Sequence, residues 1–232
     1  MKKKIIGLIP CRLNSSRLHQ KALLKIDKLP LIIHTLKRVQ LCKNLSDVIV
    51  CTDSIKIKKL VESYGLKTPF LRPKKYSRDL SRDIEFVNHA INEFSKNRIF
   101  FKYCLILRPT SPIRSIKNVQ AAYKKFISVK KASSIRAVTF SKNNPYKSWV
   151  ISKGLMKPIL KSNIFEHYNA PRQILPKTLW QTGNFEFFKI NFKKKLKSIS
   201  GPNILPYYIT GDEILDIDNL SDIKILKKKI FN

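Results

Sequence analysis

The sequence predicts an α/β fold in which a mostly parallel sheet is sandwiched by helices. Short apolar runs alternate with longer stretches whose apolar residues recur at helical spacing, the rhythm of repeated strand–helix units. The 232 residues are 43% apolar, which suffices for one compact core. The first apolar run leads into a polar loop and then a helix, and in open α/β sheets ligands collect at such strand ends.

Residues 4–10 read as an apolar strand, 11–21 as a polar loop and 30–41 as a helix. A short strand over 47–51 ends at Thr52-Asp53. The helix over 54–64 that follows has apolar residues at 55, 57, 60, 61 and 64, and Gly65 closes it. A brief strand is expected at 68–71, a helix at 81–94, a strongly apolar strand at 101–107, a helix at 116–129 and a strand at 133–140. The rhythm breaks near 142, where Asn143-Asn144-Pro145-Tyr146 signals a turn and 149–160 reads as a hairpin around Lys153-Gly154. Residues 163–177 show no period, 180–190 and 204–209 return as strands, and 219–231 form an amphipathic helix. With no internal repeat or low-complexity linker, residues 1–232 are expected to form one domain with an excursion at about 143–180.

Lysine and arginine number 47 against 15 acidic residues, a formal charge of +32, which favours anionic ligands. Most of the excess is lysine in short scattered runs with little aromatic interleaving, so nucleic acid is not the expected main partner. No apolar stretch approaches the ~18 residues of a membrane span, and residues 5–9 are too few for a secretory signal. The four cysteines form no C-x-x-C pair and the histidines no ligand spacing, so neither zinc nor a disulfide framework is expected, and a reducing cytoplasm fits best. Cys11 has no assignable His–carboxylate pair to activate it as a nucleophile.

Two regions carry candidate chemistry. The 11–21 loop places Arg12, Arg17 and Lys21 among small hydrogen-bonding residues, suited to a triphosphate or equally an ordinary basic surface loop, and it is neither a Walker loop nor G-x-G-x-x-G. Near the C-terminus, Asp212, Glu213, Asp216, Asp218 and Asp222 are five of the fifteen acids. They imply a cation there, or capping of the last helix by Asp218 or Asn219, and an extended 216–218 segment would aim Asp216 and Asp218 to one side.

Ile9-Pro10-Cys11-Arg12-Leu13-Asn14-Ser15-Ser16-Arg17-Leu18, with Lys21, resembles the signature of the sugar cytidylyltransferases. Later segments agree in order: Pro30-Leu31-Ile32-Ile33-His34-Thr35, Val48-Ile49-Val50-Cys51-Thr52-Asp53, Leu71-Arg72-Pro73 and Arg108-Pro109-Thr110-Ser111-Pro112-Ile113-Arg114. Asn144-Pro145-Tyr146-Lys147, Pro171-Arg172-Gln173-Ile174-Leu175-Pro176 and Asp216-Ile217-Asp218 extend the likeness to the acylneuraminate (CMP-sialic acid synthetase) branch, over nearly the whole chain.

The resemblance implies a Rossmann-like nucleotidyltransferase fold and transfer of CMP from CTP to a nonulosonic or related 2-keto-3-deoxy acidic sugar, releasing pyrophosphate. It places Arg12 and Lys21 at the CTP phosphates with Arg17 assisting, and Asp216 and Asp218 as magnesium ligands, either of which would alternatively take the sugar's proton. Asn14, Ser15 and Arg72 would line the cytosine and ribose pocket, although Arg72 also reads as a salt-bridging surface residue. Arg172, beside Gln173, matches an arginine suited to the sugar's carboxylate, or is a structural contact within the excursion. Two positions depart from the family pattern: Arg108 stands where glutamine is common, and Glu186 replaces an aromatic near the expected sugar. The resemblance further implies that the excursion crosses to a second subunit, with Tyr146, Trp149, Phe165 and Trp180 as anchors of a homodimer. A CMP-Kdo-type synthetase, favoured by Arg17-Leu18, and a non-catalytic basic nucleotide- or nucleic-acid-binding protein are the alternative readings.

Overall fold

The computed structural model describes residues 5–231, and the strand expected at 4–10 is β1, Ile5–Pro10. Next come β2 (Lys25–Ile26), β3 (Leu29–Pro30), α1 (Leu31–Gln40), β4 (Asp47–Cys51), α2 (Ile55–Glu62), α3 (Asp83–Lys96), β5 (Tyr103–Ile106), α4 (Ile116–Ser128) and β6 (Ser134–Phe140). The C-terminal part holds β7 (Trp149–Ser152), β8 (Leu155–Pro158), β9 (Leu179–Lys189), β10 (Ile204–Tyr208) and α5 (Leu220–Phe231).

Six strands form one sheet in the order β10-β6-β9-β5-β1-β4, with β1 parallel to β4 and β5, and β10 parallel to β6. β9 runs antiparallel between β5 and β6, so the sheet is mixed but mostly parallel. Strand alternation divides the core into two layers. Ile5 and Ile9 of β1 pack with α1, α2 and α4 through residues such as Leu36, Val61 and Phe126. Ile6 and Leu8 face α3 through Phe86, Val87, Ala90 and Ile91.

The 68–71 segment corrects one expectation. It forms no strand; Lys67 makes a single bridge to Ile49, and Pro69, two residues on, has no N–H to donate. The helix expected from 81 starts at Asp83, where the Arg82 amide donates to Glu85 Oε2 at 3.0 Å. The β2–β3 hairpin was not expected: Asp27 and Lys28 turn it with φ of 47° and 64°, and Asp-Lys lacks the glycine that usually marks such a turn.

Within the excursion, β7 and β8 pair around Lys153 and Gly154, both at positive φ. The chain from 159 to 178 has no helix or strand. Trp149 packs on Tyr168 with ring centroids 4.5 Å apart, yet Ile151 and Phe165 are 81% and 89% exposed.

Candidate active site

The carboxyl ends of β1 and β5 open into a cleft of about 380 Å³. The 11–21 loop forms one wall. The Cys11 amide donates to Cys51 O at 3.0 Å and the Leu13 amide to Asp53 Oδ1 at 2.9 Å, so the loop begins as a continuation of the sheet. Gln20, at φ 48°, turns the chain into a short 3-10 turn over Lys21–Leu23.

Lys21 reaches across the molecule. Its Nζ donates to Ile217 O at 2.7 Å and to Asp218 Oδ1 at 3.0 Å, and Arg17 Nη2 meets the same carboxylate oxygen at 3.0 Å. The five C-terminal acids divide by task. Glu213 accepts from the Ser115 amide and from Asn118 Nδ2 at the start of α4, and Asp212 pairs with Lys229. Asn219 caps α5 by accepting from the Asp222 amide, while Asp222 accepts from the Asp218 and Asn219 amides. Asp216 and Asp218 line the cleft. The cationic and capping readings of this cluster therefore both hold, on different residues.

A second wall, residues 72–83, joins the 11–21 loop through Arg12, which donates to Arg78 O at 2.8 Å and pairs with Asp79 at 3.0 Å. The Arg72 amide donates to Thr52 O at 2.7 Å, its Nε donates to Ser77 Oγ at 2.9 Å, and its guanidinium carbon lies 5.5 Å from the Phe86 ring centroid. Burial lowers the Arg72 pKa, partly offset by Asp53. The residue is buried with its guanidinium held at the cleft, not a salt-bridged surface residue.

Arg108 lies on the third side. Its Nη2 is held by Asp83 and by Glu186 Oε1, the latter at 3.0 Å, and Glu186 Oε2 pairs with Arg136 at 2.9 Å. Burial works against the Arg108 charge, but the two carboxylates outweigh it and raise its pKa. Behind it, fully buried Arg114 donates through Nε to Asn184 O at 2.9 Å and through Nη2 to Arg108 O at 3.0 Å; burial lowers it to about 9. Burial likewise pushes the Cys11 and Cys51 thiols up to about 12, against the pull of Arg72, so neither is a thiolate nucleophile at neutral pH.

Arg12, Ser15, Arg17, Lys21, Arg72, Arg108, Asp216 and Asp218 thus meet in one cleft. Asn14 is exposed and lies outside the lining. Arg172 and Gln173 are exposed in the excursion, and Arg172 lines a separate hollow of about 300 Å³ with Lys142 and Lys177. The sequence reading missed Arg78, Asp79, Arg82 and Asp83 on the second wall, as well as the Arg136 and Arg114 supports. The scarcity of acids was the available signal, since Asp79, Asp83 and Glu186 are three of only fifteen.

Among the described residues no three His, Cys, Asp or Glu side chains form a metal cluster. Asp216 Oδ1 is buried without a protein partner, and Asp218 stands two residues on in the same cleft. One or two carboxylates completed by substrate phosphates is the pattern magnesium takes, and this pair fits it.

Burial raises the Asp216 pKa, and Asp218 adds to that, while a hydrogen bond with Thr110 and the charges of Lys21 and Arg108 oppose it. Ionising this carboxylate therefore costs more in the folded chain than in the unfolded one. Asp216→Asn is therefore expected to raise the thermal unfolding midpoint at pH 7. The gain should vanish as pH falls through the ordinary carboxyl range, where the wild-type group is protonated in both states. Melting curves from pH 3.5 to 7.5 check this, and a midpoint lowered at pH 7 would contradict it.

A family model described as "Cytidylyltransferase" matches residues 6–140, more than half of the chain. The N-acylneuraminate cytidylyltransferase of Escherichia coli is 35% identical over 146 residues, which cover 62% of this chain and 33% of that protein. The CMP-N,N'-diacetyllegionaminic acid synthase of Legionella pneumophila is 28% identical over 70% of this chain and 68% of its own. The pseudaminic acid cytidylyltransferase of Campylobacter jejuni is 24% identical over 97% of this chain and 95% of its own. The chain thus spans about a third of the first relative and nearly all of the last. Among solved structures, CMP:2-keto-3-deoxy-manno-octonic acid synthetase complexed with CTP superimposes with a TM-score of 0.71 at 15% identity, covering 98% of both chains. A 4-diphosphocytidyl-2C-methyl-D-erythritol synthase of Anaerococcus prevotii gives 0.64 at 11% identity over the full length of both, so both structures share the fold.

Proposed function

We propose, for a chain that belongs to the cytidylyltransferase family, that it transfers CMP from CTP to a nonulosonic acid and releases pyrophosphate. One observation carries the reading: Lys21 of the first loop and Asp218 near the C-terminus are bonded to each other in a cleft that also holds Arg12, Arg17 and Arg72. Full-length likeness to the pseudaminic acid enzyme favours a nonulosonic acid over an octulosonate, because a relative acting on the latter matches only 37% of the chain.

The sugar's anomeric hydroxyl attacks the α-phosphorus; the bond to the bridging oxygen breaks and pyrophosphate leaves. Arg12, Arg17 and Lys21 exchange their carboxylate partners for the triphosphate and stabilise the charge gathering on its oxygens. Ser15, Arg72 and Phe86 shape the nucleoside end. Asp216 and Asp218 would hold magnesium, which supplies charge neutralisation and acidifies a bound hydroxyl. In place of metal binding, either carboxylate would take the sugar's proton directly.

The excursion completes the site from a second copy in this reading. Its Ile151, Leu155, Met156, Phe165 and Trp180 are large apolar side chains left exposed in one chain. Dimerisation would let the hollow holding Arg172, next to Gln173, face the partner's sugar carboxylate. Four free, buried cysteines suit a reducing cytoplasm.

Incubation with CTP, magnesium and a panel of N-acetylneuraminic, legionaminic, pseudaminic and 3-deoxy-octulosonic acids tests the proposal. Pyrophosphate release is expected fastest with a nonulosonic acid, from a species sedimenting at twice 27.0 kDa. Absence of release with every sugar, together with salt-sensitive DNA binding, would replace the enzyme with a basic binding protein.

A further inference from the structure

We infer that Arg108 reads the sugar as a charge-neutralised, donor-only group that gives a hydrogen bond to an uncharged oxygen, a hydroxyl or an acyl carbonyl, and that Glu186 is the positioning residue that neutralises and orients it. This rests on the cytidylyltransfer proposed above.

Arg108 stands at the acceptor end of the cleft. A Cβ placed on Gly183, whose φ is +72°, would lie 3.7 Å from Arg108 Cδ and 3.9 Å from Asp216 Oδ2, so the arginine and the aspartate flank a single glycine. Arg12 and Lys21 belong to the 11–21 wall: Arg12 is tied to Arg78, and Lys21 reaches over to Ile217 and Asp218. A group bound beside Asp216 therefore lies near Arg108, and both side chains line the same cleft.

The charge around Arg108 is already balanced. Asp83 and Glu186 hold its Nη2, and Glu186, only 4% exposed, also binds Arg136, which gives two guanidiniums against two carboxylates. Such a quartet has no surplus charge to anchor a sugar carboxylate. What remains is a planar guanidinium fixed along one edge, with Nη1 shielded and without a protein partner. A shielded donor lacking an acceptor is unfavourable, so a ligand oxygen that accepts from it is favoured. Guanidinium has no acceptor lone pair, so an amine or amide N–H at that place gains nothing. Glu186 is needed because, without it, Arg136 loses its carboxylate and Arg108 keeps only the half-exposed Asp83.

The test compares Arg108→Met, Glu186→Gln and the double variant with the wild-type chain, using the best substrate among N-acetylneuraminic, legionaminic and pseudaminic acids. Arg108→Met is expected to raise the KM for the sugar about 10- to 100-fold while the KM for CTP stays within about twofold. Glu186→Gln should raise the sugar KM by itself but add nothing once Arg108 is Met. An unchanged sugar KM in Arg108→Met, or an equal rise for both substrates, overturns the role of Arg108. Additive effects overturn the role of Glu186. Should Glu186→Gln lose its cooperative melting transition, Arg108→Met decides, because it leaves Glu186 paired with Arg136. A wild-type chain that releases no pyrophosphate with any of the three acids removes the premise and the inference with it.

Discussion

Asp218→Asn is expected to lower the rate of pyrophosphate release about 100- to 1,000-fold at saturating CTP, sugar and magnesium. Two cations, Arg17 and Lys21, converge on this carboxylate, and Asp216 lines the same cleft two residues before it. The amide removes the charge that pairs the two cations and weakens the second candidate metal ligand. Asp218 is about a third exposed and Asn219 caps α5, so the helix keeps its start and the melting midpoint should move little. Rates measured across a magnesium titration, with melting curves of the same preparations, check both halves. Full activity at high magnesium would mean that this carboxylate neither holds the ion nor orders the cations.

Lys21→Met should reduce kcat/KM for CTP by a comparable factor, about 100- to 1,000-fold, and should also cost stability. The ammonium is the link between the first loop and the C-terminal acids, donating to Ile217 O at 2.7 Å and to Asp218 at 3.0 Å with a side chain only 11% exposed. Methionine keeps the stem but strands the Ile217 carbonyl, at a cost of about 1–3 kcal/mol. Lys21→Arg should not rescue the rate, because a planar guanidinium does not occupy the position of a compact ammonium between a carbonyl and a carboxylate. Steady-state kinetics with CTP varied, for both variants, read this out. Recovery to near wild-type values in Lys21→Arg would show that any cation serves.

The sheet was legible because its strands are unbroken apolar runs and its helices carry clear spacing. β1, β4, β5 and β6, with α1 to α5, fall within a few residues of their expected places. The errors occur where local signals are silent. Pro69 ends a ladder that apolarity alone would have continued, and Asp27-Lys28 turn a hairpin without glycine. The 72–83 wall was missed because it owes its course to tertiary hydrogen bonds, Arg72 amide to Thr52 and Arg12 to Arg78, and not to any period in its residues.

The two departures from the family pattern show the same division. Arg108 and Glu186 lie 78 positions apart and look like separate anomalies in the sequence, whereas in the fold they are one ion pair at 3.0 Å. Whether Arg172 belongs to the sugar site also depends on assembly, since within one chain it lines a different hollow.

The layered α/β core, the cationic loop after the first strand and the acidic pair near the end are all readable along the chain, because apolar spacing and residue chemistry act locally. Which charges meet is settled by the folded arrangement. Lys21 and Asp218 are 197 positions apart, and the parallel course of β1 and β10 brings both to the carboxyl end of the sheet. Electrostatic partnership depends on distance through space, and a linear order of residues does not contain that distance.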